Sequence, residues 1–222
     1  MGHARSHRTC ALLSLAWGEA WQVRVAPAQA RSIPPQLPDP LRTPERWPPT
    51  RDNAQVGLRH PVVLPPWFVS AWDGLARGAV SREGADALAV WHQGVLLMPQ
   101  HPSFAFVAFV SSIEAAAASR ELGLAPGSAQ ERFWSAMATV ADQREIDFFR
   151  ARKVYGRLRS ATMHGGVLHG IEKQFGAPLF MPINPDDPMQ EFMFETLQRM
   201  ARTSRRVVIR VLRGDPWAPG SM

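Results

Sequence analysis

Cysteine is all but missing from this chain. Cys10 stands alone among 222 residues, which excludes an internal disulfide and fits a reducing compartment. Long apolar runs are missing too. The best of them, Phe104 to Ala118, contains Glu114, so no stretch offers the roughly twenty uninterrupted apolar residues of a membrane span, and no membrane partner is expected. Spaced metal ligands are lacking as well: His101 has no Cys, His or carboxylate at zinc spacing, and the His164-x4-His169 pair straddles Gly165 and Gly166. No metal and no other cofactor is expected. A helix-turn-helix spacing is equally absent, which weakens the reading of a basic helical DNA binder acting through the last helix. The start of the chain has some marks of a secretory leader, with Arg5 and Arg8 before an apolar Cys10 to Trp17. That run is short, and Glu19 and Arg24 interrupt its path to the small residues Ala28 and Ala30, so a cytoplasmic protein is expected.

Arginine is what the chain has in abundance. Lys and Arg total 25 against 19 Asp and Glu, a formal net charge of +6, yet Lys153 and Lys173 are the only lysines. The balance favours acidic partners, nucleic acid first, although the charge is spread along the chain. A hydrophobic share of 45% suffices for one real core plus an extension.

Proline divides the chain. Pro34, Pro35, Pro38, Pro40, Pro44, Pro48, Pro49, Pro61, Pro65 and Pro66 block helix at themselves and bias the preceding residues to extended backbone. Residues 1–66 are therefore expected to be an irregular N-terminal extension, either a tether with Trp47 and Trp67 docked or a segment bound by a partner's groove. Residues 67–213 form the expected helical domain, an all-α up-down bundle, and 214–222 a frayed tail.

Within the domain, Ser81 to Gly94 reads as a short helix, with Trp91 packed and His92 at the surface. A long helix is expected from Ser103, as N-cap, to Leu122. Phe106, Val110, Ile113 and Ala117 mark its buried stripe. Glu114 falls beside that stripe, either solvated at its edge or paired with Arg159 or another arginine of the motif helix. Two capping boxes follow, Ser128 with Glu131 and Asp142 with Glu145. The first opens a helix bearing Phe133, Trp134, Met137 and Val140. The second opens a helix bearing Ile146, Phe149 and Leu158 that is expected to run on to about His164. Arg144, Arg150, Arg152, Lys153, Arg157 and Arg159 crowd it, either as a solvated face or as a groove that attracts phosphate. A final helix, from Met189 to Leu212, returns Phe192, Leu197, Met200, Val208 and Leu212 to the core, with Arg202, Arg205, Arg206, Arg210 and Arg213 toward its end.

The stretch that carries chemistry is Tyr155 to Gly166, where Arg159 and His164 form an Arg-x4-His pair followed by two glycines. A permanent cation binds phosphate in a planar fork, and an imidazole titrating near neutrality moves protons. Five residues apart on a regular helix means about 140° around the axis, so the two share a face only if the final turn unwinds at the glycines. One imidazole serves only one side of an in-line displacement. Two copies face to face would serve both.

The run Arg159-Ser160-x-x-Met163-His164-Gly165-Gly166, with Tyr155 four residues ahead and the upstream Ser112-Ile113-Glu114-Ala115, resembles the signature of HEPN domains, particularly their Apea-like branch. The resemblance spans roughly residues 100 to 213. It implies a HEPN-like helical bundle that dimerises through its motif helices, and often a metal-independent endoribonuclease. Toxin-antitoxin or phage-defence systems supply the partner in some members. Others are implied to be non-catalytic, binding a nucleotide or a partner. Carried to this sequence, it makes Arg159 and His164 the catalytic pair, acting on RNA in a homodimer. Ser160, Tyr155 and Glu114 become supporting or substrate-binding residues.

Overall fold

A computed structural model describes residues 2–18, 20–22, 64–173 and 187–214 of the chain. The described residues are all-helical, with no strand among them. Helices α1 (Gly2–Trp17), α2 (Trp67–Arg77), α3 (Arg82–Leu97), α4 (Pro102–Ala118), α5 (Ala129–Ala138) and α6 (Gln143–Ala151) come first. A π-helical turn π1 (Val154–Arg159), helix α7 (Ser160–Gly165) and a 3-10 turn (Ile171–Lys173) follow. Helix α8 (Pro188–Glu191), a second π-turn π2 (Phe192–Thr196) and helix α9 (Leu197–Arg213) close the chain. None of these helices is long and apolar enough to cross a membrane.

Helix α4 is the axis of the structure. Phe106, Val110, Ile113 and Ala117 are buried as the stripe requires, but so are Ala105, Val107, Phe109, Ser112 and Ala116, because α3, α5, π1, α7 and α9 all pack on it. A helix apolar on nearly every side is an interior helix. The tightest pairing is α3 against α4, where Gly94 leaves room for a ring: a Cβ there would meet Phe109 Cε1 at 2.6 Å. Trp91 and Phe109 extend that contact with ring centroids 6.5 Å apart. The first capping box is complete, Glu131 N donating to Ser128 Oγ at 3.2 Å and Ser128 N to Glu131 Oε2 at 2.7 Å.

Several expectations need correction. Residues 2–17 are not irregular: they form α1, whose Leu12 and Leu15 are fully buried in contact with α2 and α3. Of the proline-rich segment, residues 31–63 lie outside the described residues. The long helix starts at Pro102, suited to a first-turn position because its missing N–H is not needed there. Ser103 is not its cap, since its hydroxyl accepts from His169 N at 2.7 Å and Gly170 N at 3.2 Å. The helix also ends at Ala118 rather than Leu122, because Ser119 turns extended at ψ 146°. His92 is buried, not superficial, with Nε2 2.6 Å from the Trp21 carbonyl.

The second capping box is half made. Asp142 Oδ1 accepts from Glu145 N at 2.8 Å, but the Glu145 carboxylate accepts instead from Thr203 and Arg206 of α9. The helix it opens is also not continuous. Lys153 is left-handed at φ 50°, which ends α6, and the chain restarts as π1 with Leu158 N reaching back five residues to Lys153 O at 3.3 Å. Arg152 pins the break, its guanidinium stacked 3.6 Å from the Phe148 ring centre and bonded to Glu191 at 2.5 Å and Glu195 at 3.2 Å.

Candidate functional site

Glu114 is where the interior helix meets the motif. Its side chain is 20% exposed, so its charge needs a partner close by. Tyr155 Oη donates to Oε1 at 2.7 Å and Arg159 Nη2 to Oε2 at 3.2 Å, one ligand for each carboxylate oxygen. Spaced four apart, the two residues lie on one side of the turn and converge on one acceptor. Phe133 holds the tyrosine from the side with ring centroids 5.0 Å apart, and the Arg159 guanidinium lies 5.5 Å from the Tyr155 ring centre. Burial and the adjacent Glu114 carboxylate push the Tyr155 hydroxyl up to about 12, against which the nearby arginines act weakly. At neutral pH it is a neutral donor and orients Glu114 and Arg159.

The sequence-predicted residues thus divide. Glu114, Tyr155 and Arg159 come together. Ser160 makes only a long contact, its Oγ 3.5 Å from the Tyr155 carbonyl. His164 is exposed and stands apart. The expected unwinding before it does not occur, since α7 is regular through Gly165 and only Gly166, at φ 62°, turns left-handed. Five residues of regular helix carry His164 about 140° from Arg159 within one chain. His164 does not cap the helix either: the Gly166 N–H bonds back to the Ala161 carbonyl and does that work.

The two glycines therefore differ in kind. A Cβ at Gly165 would meet nothing closer than Val167 Cγ2 at 3.5 Å, whereas Gly166 needs its left-handed backbone. Gly165→Ala should leave the urea midpoint nearly unchanged, and Gly166→Ala should lower stability by about 1 kcal/mol. Equal losses in the two variants would count against this assignment of the helix end.

On its side away from α4, the motif helix borders a cavity of about 620 Å³, lined by Lys153, Arg157, Leu158, Ala161, Val167 and Phe192 among others. His164 is not part of that lining and stands exposed three residues beyond Ala161 on the same helix, seven residues and close to two turns beyond Arg157. The cation that shares a side with His164 is then Arg157, exposed and unpaired among the described residues, rather than Arg159. Sequence reading had placed Arg157 only within the basic run. Its register with His164 is that of seven residues, close to two helical turns.

No protein-family model, curated protein or solved structure matches this chain. Among the described residues no three His, Cys, Asp or Glu side chains gather as a metal site would.

Proposed function

We propose that this protein is a metal-independent endoribonuclease of HEPN type, working as a homodimer with one motif helix from each protomer. The observation that carries the reading is an exposed His164 five residues beyond Arg159, an arginine held in place by Glu114 and Tyr155. Among the described residues this imidazole caps nothing and pairs with nothing, which leaves it free to move a proton. Met163 and Val167 around it are 53% and 44% exposed, apolar surface of the kind a twofold partner covers.

In this mechanism the 2′-hydroxyl of RNA attacks the adjacent phosphorus as His164 of one protomer takes its proton. The bond to the 5′-oxygen breaks, and the second protomer's imidazole protonates that oxygen. The products are a 2′,3′-cyclic phosphate and a 5′-hydroxyl end. Arg159 neutralises charge on the crowded phosphate, and the rim cations Arg157 and Lys153 draw the strand in. A defence or antitoxin partner would regulate such an activity.

A second reading is favoured by the Glu114–Arg159 ion pair itself: an arginine already satisfied by a carboxylate suits a non-catalytic module that binds a nucleotide or a partner. Two measurements separate the readings. Sedimentation equilibrium should show a dimer that dissociates on dilution, and the folded dimer should cut mixed RNA in EDTA. A concentration-independent monomer, or a dimer that leaves RNA whole, would overturn the ribonuclease proposal.

A further inference from the structure

Among the described residues, a cleft outside the motif gathers more cations than the carboxylates beside it neutralise. The start of α6 and the middle of α9 border an open cleft of about 530 Å³, lined only by Asp142, Arg144, Glu145, Arg199, Arg202, Arg205 and Arg206. Both carboxylates are already engaged. Asp142 accepts from the helix backbone, and Glu145 accepts from Thr203 and Arg206. Two further arginines are occupied as well. Arg205 donates to the Leu15 and Ala16 carbonyls at 2.6 Å each, closing the end of α1, and Arg199 bonds Glu195 at 2.9 Å. Arg144 and Arg202 remain exposed and, among the described residues, without hydrogen bond or ion pair.

We infer that this cleft docks the phosphodiester backbone of a nucleic acid strand, at a site separate from the Arg159 and His164 motif. The pattern of α9 supports a linear polyanion rather than an isolated anion. Arg199, Arg202, Arg206, Arg210 and Arg213 recur at intervals of three and four, which sets them along one side of the helix over about 20 Å. Guanidinium forks match phosphate oxygens in plane. No aromatic residue is among those lining the cleft, and the Phe148 ring against Arg199 is covered by Arg152 at 3.6 Å and Arg199 at 4.2 Å. Bases therefore find no stacking platform, and the site reads backbone charge without sequence preference.

The inference is independent of chemistry at His164, and its test uses a ligand that this chemistry cannot cut. Fluorescence anisotropy of a labelled oligo(dT) 20-mer with the full chain should give saturable binding that weakens with salt. The double variant Arg144→Ala/Arg202→Ala should bind tenfold or more weakly, and its slope of log affinity against log salt should be shallower by about 1.4, the release expected for two single-strand phosphate contacts. Neither side chain bonds anything among the described residues, so circular dichroism and the melting midpoint should stay as in wild type. Arg144→Lys/Arg202→Lys should keep the slope. An equal loss in Arg77→Ala/Arg82→Ala, which removes the same charge from α2 and α3, would reduce the effect to net charge and overturn the site. Absence of oligo(dT) binding by wild type would overturn it too, as would displacement by poly-glutamate as efficient as by unlabelled oligo(dT).

Discussion

Arg159→Ala and His164→Ala should each reduce the rate of RNA cleavage in EDTA by on the order of a hundredfold or more, the usual scale for removing a proton-transfer group or a charge stabiliser. The losses should differ in kind. His164 is exposed and bonds nothing among the described residues, so His164→Ala should leave folding untouched while cleavage collapses. Arg159 bonds Glu114, so its removal should cost stability as well as rate. Ends left by wild type should be 2′,3′-cyclic phosphates, and a DNA strand of the same sequence should survive because it lacks the attacking hydroxyl. Degradation that is identical in wild type and both variants would mark a contaminating nuclease and end the enzyme reading.

The parts of this site that sequence could show are those set by local chemistry. Glu114 beside an apolar stripe requires a cation, and one of the two alternatives, a pairing with Arg159, is the bond that forms. Ser128 and Glu131 cap α5 because both partners lie within one turn. What escaped depends on distant contacts or on backbone geometry without a period. α1 has its apolar Ala11, Leu12 and Leu15 in a short run that resembles part of a leader, and only α2 and α3 make it a core helix. His92 is buried by the chain around Trp21, far away in sequence. The left-handed Lys153 and the π-turn after it break a helix that residue types alone would continue. The resemblance itself concerns residue identities and is silent on this geometry.

Glu114→Ala should lower stability by about 2–3 kcal/mol. Removing one partner of a fully buried pair costs about 3–5 kcal/mol, and here both side chains keep some solvent contact, which reduces the cost. The loss strands the Arg159 guanidinium, whose Nε is already buried without a hydrogen-bond partner, and leaves the Tyr155 hydroxyl without its acceptor. Arg159→Ala should cost a similar amount by leaving Glu114 charged and without its cation. The double variant Glu114→Gln/Arg159→Ala then decides what the pair is for. Glutamine still accepts from Tyr155 but carries no charge to neutralise, so stability should recover by about 1–2 kcal/mol relative to Arg159→Ala alone, a coupling read from urea midpoints in a double-mutant cycle. Cleavage should not recover with it, because the recovered fold still lacks the cation that meets the phosphate. Should activity return together with stability, Arg159 would serve only to satisfy Glu114, and the phosphate would have to be met by the cations on the other side of the helix, Arg157 and Lys153.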